Sequence, residues 1–101
     1  MTKGDEQLGT ELLLKNDCVG VWEHVVPAGK TGHSHTHRRP YVSVIVRGGK
    51  GETIAPTGEV LDGFDFTPGA IIWVGPDELP ATHALRNTGD EDVAIVTIEL
   101  F

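Results

Sequence analysis

The feature that most constrains this fold is the regular interruption of short apolar runs by glycine and proline. The 101 residues include 13 Gly and 6 Pro. The β-branched runs, such as Val19–Val26 and Tyr41–Arg47, end at turn-forming residues before they reach the length of a typical helix. About eight or nine short strands at intervals of roughly 8–12 residues are expected, a spacing typical of a sandwich or small barrel. We therefore predict an all-β fold.

The same pattern predicts the position of most strands. We place them at residues 19–26, 41–47, 52–55, 60–66, 70–74, 82–86 and 93–101. Residues 8–14 form either a short strand or one helical turn, residues 48–51 form a turn, and residues 75–80 form a loop. A chain of this length has room for one domain. We predict that domain at residues 18–101, preceded by an N-terminal arm or edge strand at residues 1–17.

The charge balance excludes several classes of partner. There are 8 Lys and Arg against 15 Asp and Glu, a formal net charge of -7. Binding to nucleic acid or to anionic lipid needs clustered cations, so neither partner is expected. No run approaches the roughly 20 apolar residues of a membrane helix, and the first residues lack the apolar core of a signal peptide. We predict a cytoplasmic protein without a nucleic-acid or membrane partner.

One strand indicates how the chain assembles. Side chains alternate between the two faces of a strand, and both faces of the strand at residues 41–47 are mostly apolar. One face carries Tyr41, Ser43 and Ile45, and the other carries Val42, Val44 and Val46. Water does not favour an apolar outer face, so either the N-terminal strand or a second subunit must cover it. We predict a homodimer, the commonest symmetric assembly.

A histidine-rich pentapeptide carries the clearest chemical signal. His33, His35 and His37 alternate with polar residues. Residues two apart on a strand share a face, about 6.6 Å apart, which suits two imidazoles bound to one metal ion at about 2.1 Å each. His33 and His37 would be roughly 13 Å apart, too far to share an ion. The residues thus predict a pair, either His33/His35 or His35/His37, unless the tract is only a polar loop.

The surroundings of this tract resemble the first motif of the cupin superfamily. Gly29 is followed by five residues, then His35 and His37, three more residues, Tyr41, and six residues to Gly48. Each spacing matches the family motif, but Tyr41 stands where the family has Glu. In this register the metal-binding pair is His35 and His37, and His33 is spare.

The second cupin motif is matched at its end. His83 precedes Asn87 by three intervening residues, as in the family, although the loop before it is longer. The resemblance implies an antiparallel jelly-roll barrel, the double-stranded β-helix, holding one divalent transition metal ion on His35, His37 and His83. The family's Glu ligand is not carried over. A looser similarity, at residues 19–24 and 96–101, is to very small cupins assigned to amino-acid and β-alanine breakdown.

Three further side chains are candidates for the same site. Tyr41 shares the strand parity of the histidine pair, so its phenol is predicted to face the site as a catalytic hydrogen-bond donor or general acid, or else to pack. Arg39 is predicted to bind a substrate carboxylate, unless it is simply solvated. Glu23 and His24 alternate on one strand, so one of them faces inward; the sequence does not say which.

These observations support two hypotheses about function. Three-His cupin sites occur among thiol dioxygenases and diketone-cleaving enzymes, so the resemblance suggests an Fe(II)-dependent, dioxygenase-like enzyme. Zn, Mn, Ni and Cu also suit imidazole ligands. We predict a metal-dependent enzyme that acts on a small organic acid or thiol. The alternative is a non-catalytic module that binds a metal or a small ligand.

Overall fold

Nine antiparallel strands make up the described part of the chain, residues 7–101 of a computed structural model. They are β1 (Glu11–Lys15), β2 (Val19–Val26), β3 (His35–His37), β4 (Tyr41–Arg47), β5 (Gly49–Ile54), β6 (Val60–Phe66), β7 (Ile71–Val74), β8 (Ala81–Asn87) and β9 (Val93–Leu100). One 3₁₀ turn, Pro76–Glu78, lies between β7 and β8. Within residues 7–101, no helix has the length and apolar character needed to cross a membrane.

The strands form two sheets that enclose the interior of a jelly-roll barrel. The five-stranded sheet has the order β1-β2-β9-β4-β7, and the four-stranded sheet has the order β3-β8-β5-β6. β9 lies at the centre of the larger sheet, where β2 and β4 pair with its two edges. β1 is an edge strand, and the rest of the predicted arm, residues 1–6, lies outside the described residues. The all-β prediction is confirmed.

The strand bounds agree with the prediction where β-branched residues dominate and differ where glycine does. β2, β4 and β6 have the predicted bounds. β5 begins at Gly49, so the predicted turn at residues 48–51 is wrong. The reason is the approach of a neighbouring ring, since a Cβ at Gly51 would overlap the ring of Phe66. Gly51 is therefore a strand residue whose missing side chain makes room for an aromatic one.

The apolar core occupies one part of the interior. It consists of six buried side chains from both sheets: Val26, Ile45, Phe66, Leu85, Val93 and Ile95. Burying a side chain of this size contributes roughly 1.5–3 kcal/mol. Asn87 is also buried there, and its Nδ2 donates to the carbonyls of Val26 and Glu91. This asparagine fixes the β8–β9 turn against β2.

The outer face of the five-stranded sheet is apolar and lacks a cover among residues 7–101. β1 extends the sheet at the edge away from β4, so the N-terminal strand does not lie over β4. Val46 is half exposed, and on the neighbouring β7 the exposed fractions are 69% for Ile71 and 55% for Trp73. Of the two predicted covers for this face, the N-terminal strand is therefore wrong for the described residues.

Candidate metal centre

Three histidines from two paired strands meet inside the barrel. β3 pairs with β8 so that His35 lies opposite His83 and His37 lies opposite Ala81. Alternation along β3 turns His35 and His37 to the same inner face, where they are 5% and 3% exposed. Ligand nitrogens of the three residues all lie within 4.8 Å of one another. We call this group the three-His cluster.

The ring geometry of the three-His cluster suits a shared ion. The ring centroids are 4.7 Å apart for His35 and His37, 4.9 Å for His35 and His83, and 5.0 Å for His37 and His83. Nitrogens bound to one ion at about 2.1 Å lie roughly 3–3.5 Å from each other. The ligand nitrogens, all within 4.8 Å of one another, are close to that separation.

The protonation of the cluster favours metal binding. Burial, followed by the neighbouring histidines, lowers the pKa of His35 to about 4 and that of His37 to about 3. Burial also lowers the pKa of His83. All three rings are therefore neutral at pH 7, the form that binds a metal ion.

Two nitrogens of the cluster indicate where an ion would be held. His35 Nδ1 lies 3.2 Å from the carbonyl oxygen of His33, which accepts its proton and leaves the Nε2 lone pair free. His37 Nδ1 is buried without a hydrogen-bond partner, an arrangement that costs folding energy unless something satisfies it. The residues present thus fit a divalent transition metal ion, as the resemblance implies; they do not select which ion.

Tyr41 contacts the cluster directly. Its ring stacks on that of His37, with centroids 3.9 Å apart and planes inclined by 22°. The side chain is 6% exposed and faces the barrel interior, as its strand parity predicts. Burial, with a smaller contribution from Glu78, raises the pKa of Tyr41 to about 12. The phenol therefore keeps its proton at neutral pH and can donate a hydrogen bond.

Arg39 lies away from the cluster. Its guanidinium sits over the ring of Phe101, 4.8 Å from the centroid, and it does not line the cavity beside the cluster. The cause is the end of β9, where the N–H of Leu100 donates to the carbonyl of Pro40 and brings Phe101 alongside Arg39. The predicted contact between Arg39 and a substrate carboxylate has no support in this geometry.

The remaining two histidines have different surroundings. His33 is exposed, and its Nε2 is 2.9 Å from the carbonyl oxygen of Gln7, so it is spare, as the family register implies. His24, not Glu23, turns inward. It is 6% exposed and neither ring nitrogen has a hydrogen-bond partner. Any Cβ at Gly32 would lie 2.9 Å from its Nε2, so the glycine leaves room for this ring.

A cavity of about 390 Å³ opens beside the three-His cluster. That volume falls in the range of small-molecule sites, about 300–1,000 Å³. Apolar side chains from both sheets form most of its wall, among them Leu61, Phe64, Ile72 and Ile95. The wall also contains a buried pair of hydroxyls, in which Ser43 Oγ and Thr97 Oγ1 are 2.9 Å apart.

Sequence reasoning missed the hydroxyl pair. Ser43 is the only polar residue between Tyr41 and Ile45 on a strand that is otherwise apolar, and that was the available signal. Its partner is 54 positions away, and the pairing depends on the β4–β9 register, which places Ser43 opposite Thr97. Glu78 and Asp62, which also line the cavity, carried no signal that separates them from other surface acids.

Known structures share this architecture, although no family model matches the chain and no curated protein matches it. A cupin domain from Bordetella pertussis Tohama I is 24% identical, with a TM-score of 0.76 over 90% of each chain. An RmlC-like cupin family protein from Methanocaldococcus jannaschii is 14% identical, with a TM-score of 0.67 over 99% of this chain and 85% of that one. The polyketide cyclase RemF from Streptomyces resistomycificus is 15% identical, with a TM-score of 0.59 over 84% and 56%. The chain therefore has the cupin fold, a double-stranded β-helix.

Proposed function

We propose that this chain is a metal-dependent enzyme of the dioxygenase-like type, with one ion held by His35, His37 and His83. The observation that carries the proposal is the group of three buried, neutral imidazoles that opens onto a cavity of small-molecule size. Three protein ligands leave room for a substrate, which is the property of catalytic rather than closed structural sites. We propose Fe(II) first and Zn, Mn, Ni or Cu as alternatives.

The bound ion and the protein's own side chains would have different roles in the reaction. When bound, the ion would supply Lewis-acid or redox chemistry at the substrate. Tyr41, whose ring stacks on that of His37, would donate a hydrogen bond from its phenol to the substrate. With a pKa of about 12, it is a poor proton-transfer acid at pH 7, because general acids work best near the operating pH. Tyr41 therefore orients substrate, and the apolar wall keeps bulk water away from it.

Oxygen consumption tests this proposal. The purified protein is loaded with Fe(II) and supplied with a panel of thiols, diketones, acids and amides, and dissolved oxygen is followed. We expect uptake with at least one compound and none in the His83→Ala variant. Silence across the panel with Fe(II) and with every other first-row metal would contradict an enzymatic role.

A binding module is the second candidate, and one observation favours it. Tyr41, which stacks on the three-His cluster, has its pKa raised to about 12, so this phenol is a poor acid or base at neutral pH. Chelation separates the two candidates. A catalytic site should release its ion without unfolding the chain, whereas a structural site should unfold as the ion leaves.

We also propose that two copies pair through the apolar outer face of the five-stranded sheet, and that the protein is cytoplasmic. The exposed residues Val46, Ile71 and Trp73 support the pairing. Light scattering tests this pairing. The native chain should have twice the monomer mass, and the Val44→Glu variant should have the mass of one monomer. A clean mass near 10.9 kDa at micromolar concentration for the native chain would contradict the dimer.

A further inference from the structure

The charges around the cavity have one sign. Two carboxylates, Glu78 and Asp62, lie on its wall, whereas no lysine or arginine among residues 7–101 does. Glu78 belongs to the 3₁₀ turn before β8, and Asp62 belongs to β6. The two acids on the wall therefore come from two different elements, a 3₁₀ turn and a strand.

Hydrogen bonds hold both carboxylates in place. Glu78 Oε2 accepts from the N–H of Gly75 at 3.2 Å, and Asp62 Oδ1 accepts from the N–H of Gly63 at 3.0 Å. The charge of Glu78 acts inside the site, since it contributes to the raised pKa of Tyr41. Both side chains are exposed, and each is hydrogen-bonded to a backbone N–H close to it in the chain.

Two arginines close in sequence to the three-His cluster are engaged elsewhere. Arg39 lies over the ring of Phe101, and its charge acts on the partly buried carboxyl of Glu99, where it offsets part of the rise in pKa that burial causes. Arg86 forms an ion pair with Glu52, with Nε and Oε1 3.0 Å apart. No lysine or arginine among residues 7–101 lines the cavity, so the wall offers an anionic ligand no cationic side chain.

The hydroxyl pair gives the cavity a means of recognising a neutral polar group. Ser43 and Thr97 are 7% and 5% exposed, and both line the cavity. Two hydroxyls have two protons, and the bond between them uses one. The other proton is free to be donated to an oxygen of a ligand.

We propose that the cavity takes a neutral, mainly apolar molecule with at least one carbonyl or hydroxyl oxygen, and that Glu78 and Asp62 select against anions. The proposal rests on the proposed function only in placing this molecule beside the three-His cluster. With a divalent ion on neutral imidazoles, the two carboxylates bring the formal charge of the wall to zero. A neutral ligand preserves that balance, while both acids repel an anion. The predicted substrate is therefore not the small organic acid that the sequence suggested.

The test uses three probes built on one ring: phenylacetamide, phenylacetate and 2-phenylethylamine, which are neutral, anionic and cationic. Calorimetric titration into the zinc-loaded protein should show phenylacetamide binding about tenfold more tightly than phenylacetate. The double variant Glu78→Gln, Asp62→Asn should reduce this ratio about tenfold. A matched control, Asp77→Asn, Asp65→Asn, makes the same change in net charge on the same turn and strand, at residues outside the cavity wall, and should leave the ratio unchanged.

Three outcomes would overturn the proposal: phenylacetate binding most tightly, the amine binding most tightly, or both double variants changing the ratio equally. Repeating the titrations on metal-free protein separates this proposal from the proposed function. If the protein binds no zinc but still prefers the amide, the metal centre fails and the charge selection stands. If zinc binds but phenylacetamide has no advantage over phenylacetate, the metal centre stands and the charge selection fails.

Discussion

The two ends of the barrel interior are built on the same strands but have opposite chemistry. Along four strands, the inward residue changes from polar to apolar within two positions: His24 to Val26, Ser43 to Ile45, His83 to Leu85 and Thr97 to Ile95. We call these the site end and the core end. Val26 and Ile45 are each 1% exposed, whereas the site end contains the cavity.

The difference shows where stability and function reside. The core end is packed with side chains that gain free energy by leaving water. The site end buries ring nitrogens of His24 and His37 that have no partner, and each costs roughly 1–3 kcal/mol. A structure that accepts this cost at one end must compensate for it at the other, and the buried imidazoles are then available to a metal ion.

The largest effect on stability is expected at the core end. Ile45→Ala removes a fully buried side chain and should lower the free energy of unfolding by about 2–5 kcal/mol. Metal content per folded chain should not change. Urea unfolding and elemental analysis measure the two quantities. Val60→Ala, at an exposed position of β6, is the control and should change stability by less than about 0.5 kcal/mol. Loss of metal in Ile45→Ala with unchanged stability would contradict the assignment of stability to the core end and of metal binding to the site end.

The pH dependence of stability should come from the site end. His24, His35 and His37 have pKa values of about 4, 4 and 3 in the folded chain against 6.5 when exposed. Because these folded values are depressed, the unfolded chain takes up protons first as pH falls below about 6.5, and stability is lost down to about pH 3, the folded pKa of His37.

The expected loss for the metal-free protein is a few kcal/mol between pH 7 and pH 5, since each such histidine contributes up to about 1.4 kcal/mol per pH unit. Urea unfolding at pH 7, 6 and 5 measures it. His24→Leu should make the dependence shallower. A flat profile over this range would show that the imidazoles are not held neutral by the fold.

The Tyr41→Phe variant tests the role of the Tyr41 hydroxyl beside the three-His cluster. Phenylalanine keeps the stack on His37 and removes only the hydroxyl. Zinc content should be unchanged, while affinity for phenylacetamide should fall about fivefold, the value of one hydrogen bond. Calorimetry measures the affinity. Unchanged affinity would assign Tyr41 to packing alone, and loss of zinc would assign it to the metal-binding group.

Ser43→Ala should have the smallest effect. Its hydroxyl bonds to Thr97, so the variant should lose about 1 kcal/mol of stability. Phenylacetamide affinity should fall two- to threefold, while zinc content stays the same. A matched variant, Thr36→Ala, removes a hydroxyl that pairs with Thr82 outside the cavity and should leave the probe affinity unchanged. If the two variants change the affinity for phenylacetamide equally, the hydroxyl pair of Ser43 and Thr97 has no role in recognition.

Most of the fold was predictable because alternating β-branched residues carry their own local signal. β2, β4 and β6 have the predicted bounds. The start of β5 was not predictable, because Gly51 resembles a turn residue until the position of the Phe66 ring is known. A local sequence pattern does not encode how distant segments of the chain pack together.

The site divides in the same way. His35, His37 and His83 were found because motif spacing identified them, and the structure brings them together. Arg39 was misplaced because the end of β9, some 60 residues later, determines its surroundings. The cavity carboxylates lie on a 3₁₀ turn and on a strand that are separated in the chain, and adjacent residues do not encode how such elements come together.

Elemental analysis of the purified protein and its histidine variants is the most direct test of the three-His metal centre. We expect one transition metal ion per native chain, lost in His35→Ala, His37→Ala and His83→Ala and retained in His33→Ala, with circular dichroism confirming that each variant is folded. Retention of the ion in folded His37→Ala together with its loss in His33→Ala would contradict the assigned cluster, as would a native chain that binds none of the first-row metals.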